Sequence, residues 1–160
     1  MIKYAKKDNF YSIFPMGEIP NDWEELTKEE YDKHFEKTLD ELKSEKLAEL
    51  TAITSKFSNQ LVNTDMVINS SLGFRVNADP KSIDNIDSLI SIGDEITQFM
   101  DYDNELHELS VDDLKVIKLE IQKNGCNLYK QKWDMRSRIL NAKTLDELNF
   151  EIKFEMKDFS

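Results

Sequence analysis

The two histidines are the side chains in this sequence best suited to proton transfer near neutral pH, because imidazole titrates there without perturbation. His34 lies in a charged helical pattern and His107 in an acidic stretch. A catalytic pair would require the two rings to meet in space. The sequence contains no glycine-rich phosphate loop, no GxSxG and no HExxH motif. We therefore expect two solvated surface histidines, in a protein that is not an enzyme and needs no cofactor.

Acidic side chains between residues 101 and 112 superficially resemble a calcium-binding loop. The EF-hand pattern requires Gly at its sixth position, where this chain has Leu106, and Glu at its twelfth, where it has Asp112. The pattern instead favours a turn in which Asp103 and Asn104 form local backbone hydrogen bonds. No metal site is expected here.

Cations surround two aromatic residues on one predicted helix: Lys130, Lys132, Arg136 and Arg138 lie around Tyr129 and Trp133. Cations interleaved with aromatic rings can bind single-stranded nucleic acid by stacking. At helical spacing, however, the pattern favours aromatic rings that face the core, with solvated cations near the helix C-terminus. We expect the structural role.

The 160-residue chain has a formal net charge of −11, and this charge is unevenly distributed. Residues 61–108 contain ten acidic and two basic side chains, whereas residues 109–160 are close to neutral. A negative field repels nucleic-acid phosphates, so no nucleic-acid partner is expected. The acidic middle would suit solubility, a basic partner or mimicry of nucleic acid.

Signals for a membrane or for secretion are not found in the sequence. No apolar run approaches the roughly 18 residues that span a bilayer, and no apolar segment follows the first lysines. The single cysteine, Cys126, leaves no intrachain disulfide, and we expect its thiol to be at least partly buried. These features favour a cytoplasmic protein without a membrane partner.

A capping box at Thr27 and Glu30 predicts the start of a helix. Apolar residues then recur at helical spacing as far as Phe57, with one slip around Ser44–Lys46. Either one helix continues to about residue 59 and rotates its buried face, or two helices meet. A single helix would be roughly 50 Å long, so its first half would project or pair with another copy of the chain.

Short strands and further helices are expected around this helix. Residues 2–14 alternate loosely around Asp8-Asn9 and predict one or two strands, and a period-two pattern predicts a hairpin near residues 62–78. Further helices are predicted after the capping residues Asp79, Ser110 and Thr144, with a turn and short extended pieces between residues 100 and 109.

These elements predict an α+β fold that is mostly helical, with a long N-terminal helix, one β-hairpin and a compact helical domain. We expect residues 1–45 to form a β-like element and the start of the long helix. Residues 46–160 would form the helical domain that carries the hairpin.

Aromatic and apolar residues crowd the N-terminal segment, which is too short to form its own core: Phe10, Tyr11, Phe14, Met16 and Trp23. Either they pack on the helical domain, or they form a surface that binds a partner. They are the best candidates for partner binding in the sequence.

Three motifs follow one another in the first 35 residues. They are Asp8-Asn9-Phe10-Tyr11, then Gly17-Glu18-Ile19-Pro20, then Asp22-Trp23-Glu24-Glu25-Leu26-Thr27-Lys28-Glu29-Glu30-Tyr31. Their order resembles the opening of phage and prophage tail fibre assembly proteins.

A second series of motifs extends from about Ala48 to Ile152. It includes Phe74-Arg75-Val76-Asn77-Ala78-Asp79, Leu109-Ser110-Val111-Asp112-Asp113-Leu114, Lys132-Trp133 and Ala142-Lys143-Thr144-Leu145-Asp146-Glu147-Leu148. This series resembles a domain of unknown function that is common in phage and prophage proteins. The residues before Asp103-Asn104 depart from the pattern of that domain.

The two resemblances imply a non-enzymatic chaperone that binds the phage tail fibre protein near its C-terminal tip and promotes its folding and trimerisation. It would act in the cytoplasm of the bacterial host, then leave or remain in the virion tail. The long helix would give reach or form a homo-oligomer. An alternative is an acidic prophage-encoded inhibitor that imitates nucleic acid against a host defence protein, and a third is a permanent structural component of the tail.

Overall fold

The computed structural model describes residues 1–58 and 66–160, which form two compact units. The first unit is Met1–Glu41 and the second is Leu42–Ser160. Helices predominate, and small antiparallel sheets accompany them, so the predicted α+β, mostly helical fold class is confirmed. Within these described ranges no helix is both long and apolar enough to cross a membrane.

The first unit is built on an antiparallel sheet with the strand order β2-β1-β3. Its strands are β1 (Lys3–Lys7), β2 (Phe10–Phe14) and β3 (Glu24–Leu26). Asp8 and Asn9 form the turn between β1 and β2, and Asp8 adopts a positive φ of 52°, which short polar side chains tolerate. The predicted strands around Asp8-Asn9 are therefore confirmed.

Helix α1 (Lys28–Phe35) packs on the face of this sheet that carries Tyr4 and Tyr11. The ring centroid of Tyr31 lies 5.0 Å from that of Tyr4 and 6.3 Å from that of Tyr11. The helix begins with the capping box predicted from the sequence. Aromatic contacts of this kind fix the helix on the sheet where few aliphatic residues are available.

The predicted long N-terminal helix is interrupted, because α1 ends at Phe35 and α2 spans Leu39–Ser55. Between them Glu36 has an extended backbone. Thr38 then opens α2: its N–H donates to Glu41 Oε2 at 2.8 Å, and its Oγ1 accepts from the N–H of Glu41 at 3.3 Å. The interpretation with two helices is therefore correct, and the break lies before Thr38 rather than at Ser44–Lys46.

Replacing Thr38 with Ala should lower the free energy of unfolding by about 1 kcal/mol, because the N–H of Glu41 in the first turn of α2 loses its side-chain acceptor. Thermal unfolding followed by circular dichroism would measure the change. Ser44→Ala is the matched control, since Ser44 is exposed in the interior of the same helix and Ala is the better helix former there. An equal loss of stability in both variants would contradict the capping role.

The second unit combines β-hairpins with helices around one apolar core. Its further elements are β4 (Val67–Asn69), β5 (Arg75–Asn77), α3 (Pro80–Ile92), β6 (Ile96–Met100), β7 (Leu106–Ser110), α4 (Val111–Asn141) and the 3-10 turns Lys56–Ser58 and Asp146–Leu148. The pairs β4–β5 and β6–β7 are antiparallel. The hairpin predicted near residues 62–78 is thus present, although its expected strand residue Val62 lies outside the described residues.

The apolar residues that predict helix α3 continue in the sequence as far as Phe99, but the helix ends at Ile92. Asp79 caps it by accepting a hydrogen bond of 2.8 Å from the N–H of Ser82, and Pro80 occupies its first position. Gly93 ends the helix with a positive φ of 77°. The apolar residues from Ile96 onward therefore belong to a strand.

Helix α4 is the longest helix among the described residues and starts at the predicted capping box of Ser110 and Asp113. Its inward face carries the buried residues Leu114, Ile117, Ile121, Leu128 and Ile139. Ile68, Val76 and Ile86 from the hairpin β4–β5 and from α3 pack into the same core. The core of the unit therefore lies along one side of α4.

The helix predicted after Thr144 does not form, which corrects the sequence-based expectation. Residues 146–148 make a single 3-10 turn, and from there the described chain contains no helix and no strand, only an isolated bridge at Asp158. Apolar and charged residues alternate from Phe150 to Lys157, and this period of two favours extended chain over helix.

Candidate functional site

The five residues predicted to bind a partner lie on β2, shortly after it or, for Trp23, directly before β3, and the structure divides them into two groups. Phe10 is 72% exposed and Met16 is 88% exposed. Tyr11, Phe14 and Trp23 are partly buried. The two groups therefore have different roles within the unit.

Tyr11 is held against α1 by ring stacking. Its ring lies on that of His34, with centroids 3.4 Å apart and an interplanar angle of 11°. Phe35 meets the ring of Tyr11 edge-on at 5.9 Å. His34 is exposed, as expected for a surface histidine, but one face of its imidazole is occupied by Tyr11.

Phe14 and Trp23 form a second contact, on the opposite face of the sheet. Phe14 pairs with Lys3 across β1 and β2, whereas Tyr4 and Ile13 face α1, and successive side chains of a strand alternate between faces. The rings of Phe14 and Trp23 meet edge-on with centroids 5.4 Å apart. This contact supports the fold of the first unit.

Tyr11→Ala should therefore lower the stability of the first unit by about 1–2 kcal/mol, because it removes a partly buried ring and its aromatic contacts. Phe10→Ala, on the adjacent residue, should change stability by less than about 0.5 kcal/mol, because that ring is exposed. Thermal unfolding of the two variants measures the difference. Equal stabilities would mean that the contacts of Tyr11 do not support the fold.

The outer edge of β2 is open to another chain. β2 pairs with β1 on one side, and no strand among the described residues pairs with its other side. Such an edge presents unpaired backbone N–H and C=O groups at alternate residues. The exposed apolar side chains of Phe10, Ile13 and Met16 lie on or next to it. We call this surface the β2 edge; it can accept an extended segment as a further strand.

Asp101 and His107 form a hydrogen-bonded pair across the end of the hairpin β6–β7. His107 Nε2 lies 2.8 Å from Asp101 Oδ2, and Asp101 is only 5% exposed. Asp101 Oδ1 accepts from the N–H groups of Asp103 at 2.8 Å and Glu105 at 2.9 Å. Phe74 stacks on the His107 ring at 4.0 Å. The expectation of a solvated His107 is therefore wrong, because its ring is bonded and stacked.

The electrostatics of this pair favour the ionised carboxylate. Burial alone would raise the pKa of Asp101, but hydrogen bonds from His107 and from the backbone N–H groups of Glu105 and Asp103 hold that pKa below its ordinary value. A carboxylate bonded to an imidazole can support acid–base chemistry when a substrate reaches the ring. Four cavities bounded by described residues are lined by side chains other than Asp101 and His107. The hydrogen bonds of Asp101 join His107 to the backbone of the turn and so stabilise the end of the hairpin.

Asp101, Glu105 and His107 also place potential metal ligands within 4.8 Å of one another. Both oxygens of Asp101 already accept hydrogen bonds, and Glu105 is exposed. A cation would have to displace the bond between Asp101 and His107. The arrangement is explained by the turn that it stabilises.

The aromatic residues of α4 do not face the core, contrary to expectation. Tyr129 is 62% exposed and Trp133 is 50% exposed, with ring centroids 6.0 Å apart. Arg136 lies over the Trp133 ring at 5.9 Å. Cys126 is also exposed, so the expected burial of its thiol is wrong. Of these residues, Cys126 and Tyr129 line an apolar groove of about 680 Å³, together with Phe57, Met66, Ile83 and Ile121.

The fold and these surfaces define a small α+β protein with an open sheet edge and an exposed aromatic helix face. A family model described as a domain of unknown function (DUF4376) matches residues 41–153, and the chain belongs to this family. No curated protein and no solved structure gives a significant match. Membership in a family of unknown function is thus established, and the link to tail fibres stays a prediction.

Proposed function

We propose that this protein is a non-enzymatic assembly chaperone for a phage tail fibre, which binds the fibre polypeptide near its C-terminal tip and promotes folding and trimerisation. The observation that carries the proposal is the open β2 edge with its exposed Phe10, Ile13 and Met16. The order of motifs in the first 35 residues, which resembles tail fibre assembly proteins, supports the same function.

The β2 edge offers the backbone and apolar groups that an unassembled fibre chain has to pair with. Fibre chains are long, β-rich and intertwined, and their unpaired edges aggregate before assembly is complete. A client strand that pairs with β2 satisfies its backbone hydrogen bonds, and contacts with exposed Phe10 and Ile13 cover its apolar side chains. The protein would act in the host cytoplasm and either leave or remain at the fibre tip.

Co-expression tests this proposal. The chain would be expressed with the fibre polypeptide encoded beside it, and SDS-resistant fibre trimers in the soluble fraction would be measured. We expect such trimers only when the chain is present. Equal amounts of trimer with and without it would overturn the proposal, and probing purified particles for the chain would distinguish a transient helper from a retained tip component.

The alternative function as an acidic mimic of nucleic acid has less support, because several acidic side chains between residues 61 and 108 are used within the unit. Asp87 receives a hydrogen bond of 2.5 Å from Lys118, and Asp103 pairs with Arg75. Asp79 and Asp101 are both buried. Asp79 caps helix α3, and Asp101 accepts hydrogen bonds from the turn between β6 and β7. A mimic needs its carboxylates free and evenly spaced for a basic partner.

A further inference from the structure

The C-terminal segment from Phe150 to Lys157 alternates between apolar and charged side chains, and its burial alternates in the same way. Its inward side chains are apolar: Phe150, Ile152, Phe154 and Met156. The side chains between them are charged and exposed: Glu151, Lys153, Glu155 and Lys157. We call residues 150–159 the tail strand. Its pattern is that of a strand with one buried face.

Amide side chains on one face of α4 hold the backbone of the tail strand. Gln131 bonds Glu155 twice, since its Nε2 donates to the carbonyl oxygen at 2.8 Å and its Oε1 accepts from the N–H at 2.9 Å. Asn127 donates to the same carbonyl at 3.1 Å, and the fully buried Asn124 accepts from the N–H of Lys157 at 2.7 Å. The three amides are spaced three and four residues apart and so share one helix face. We call them the amide row.

The tail strand also meets the edge of the hairpin β4–β5. The N–H of Phe159 donates to the carbonyl oxygen of Asn69 at 2.9 Å, and Asn69 and Asp158 form a parallel bridge. Phe154 packs edge-on against Phe57 with ring centroids 4.9 Å apart. The tail strand therefore sits in a groove that binds main-chain atoms on one side and apolar side chains beneath.

We propose that this groove is a binding site for an extended polypeptide with apolar side chains at every second position, and that the tail strand is its exchangeable occupant. The bound tail defines the ligand chemistry, because four hydrogen bonds of the amide row go to main-chain atoms of Glu155 and Lys157 and one goes from Asn124 Nδ2 to the sulfur of Met156 at 3.4 Å. Any strand with the same alternation presents the same main-chain groups, whereas the sulfur acceptor requires Met at the position of Met156. The site lies in the second unit and does not depend on the chaperone proposal.

The way in which the tail strand is held favours exchange. Among the described residues its backbone is bonded mainly by side-chain amides, with a single backbone bond from Phe159 to the sheet. Ile152 is buried, whereas Phe154 and Met156 are only partly buried. Segments with few buried contacts open locally at lower free energy than the core. If the tail strand left the groove, the amide row and the edge of β4 would be open to an incoming strand.

A fluorescently labelled synthetic peptide with the sequence of residues 150–160 tests the proposal on the full-length chain. Phe154→Ser should weaken the attached tail while leaving the amide row unchanged. We expect this variant to bind the peptide about tenfold more tightly than the wild type, because the attached tail competes at high effective concentration. Adding Gln131→Ala should remove the gain. Glu151→Gln, which changes an exposed side chain, should bind like the wild type.

A folded Phe154→Ser variant that binds the peptide no better than the wild type would overturn the proposal. Should that variant fail to fold, hydrogen exchange in the wild-type chain decides the question. The N–H groups of Glu155 and Lys157 should exchange about tenfold or more faster than the buried N–H groups of α4. Exchange of these groups only at the rate of global unfolding would show that the tail strand is not exchangeable.

Discussion

Replacing Asp101 with Ala is expected to lower the free energy of unfolding of the second unit by about 2–4 kcal/mol, because three donors lose an acceptor that is itself buried. The carboxylate accepts from the N–H groups of Asp103 and Glu105 at 2.8 and 2.9 Å, and its other oxygen lies 2.8 Å from His107 Nε2. The turn that it supports closes the hairpin β6–β7, whose Leu109 belongs to the core. Urea unfolding followed by circular dichroism measures the loss.

Glu105→Ala is the control for this experiment, since it removes an exposed carboxylate from the same turn but leaves the backbone donor in place. It should change the free energy of unfolding by less than about 0.5 kcal/mol. Comparable losses from Asp101→Ala and Glu105→Ala would show that local charge, rather than the hydrogen bonds of Asp101, sets the stability of the turn.

The pH dependence of the same variant follows from the lowered pKa of Asp101. A carboxyl group whose pKa is lower in the folded state than in the unfolded state stabilises the fold at every pH above its ordinary pKa of about 4. This stabilisation is lost as the pH falls through the folded-state pKa. The difference in unfolding free energy between wild type and Asp101→Ala should have its greatest value at neutral pH and become smaller below about pH 4. A constant difference down to pH 2 would exclude a contribution from the charge.

Local signals predicted the helix starts well, because a capping box involves residues only three positions apart. The boxes at Thr27 and Ser110 both form. The same pattern at Thr38 and Glu41 is present in the sequence, but the apolar stripe that continues past it suggests one unbroken helix. At Thr144 the pattern exists without a helix, because the residues that follow alternate with a period of two.

Contacts between residues distant in sequence could not be predicted in the same way. Glu120 lies on α4 and would be expected in solvent, yet it is buried and accepts hydrogen bonds from Ser70 Oγ at 2.7 Å and from the N–H of Ser71 at 3.1 Å. The bond between Asp101 and His107 likewise depends on the register of β6 and β7. Neither contact has a local signature, because each requires the hairpins to be in place first.

The candidate partner-binding residues show a similar limit. Composition identified the aromatic crowding near the N-terminus, but not which rings would pack within the first unit. That division follows from the alternation of β2: the rings of Tyr11 and Phe14 point to opposite covered faces, and Phe10 stays exposed beside the turn. Tyr11 and Trp23 are consequently poor probes of binding, because their replacement also disturbs the fold, whereas Phe10 and Met16 are better ones.

The double variant Phe10→Ser, Met16→Ser should fold normally and yet reduce the yield of soluble fibre trimers about tenfold or more, because exposed apolar anchors at an interface contribute on the order of 1–2 kcal/mol each. Both side chains are exposed and lie on or next to the β2 edge. Co-expression with the fibre polypeptide, followed by quantification of SDS-resistant trimers, measures the effect.

Leu145→Ser is the matched control for this variant, since Leu145 is an exposed apolar residue of the second unit. It should leave the trimer yield unchanged. If the chain raises the yield but the double variant is as active as the control, the chaperone function stands and the β2 edge is not where the fibre binds. If only the double variant fails while its circular dichroism spectrum and melting temperature match the wild type, pairing of a fibre strand with β2 becomes the simplest physical account of how the protein works.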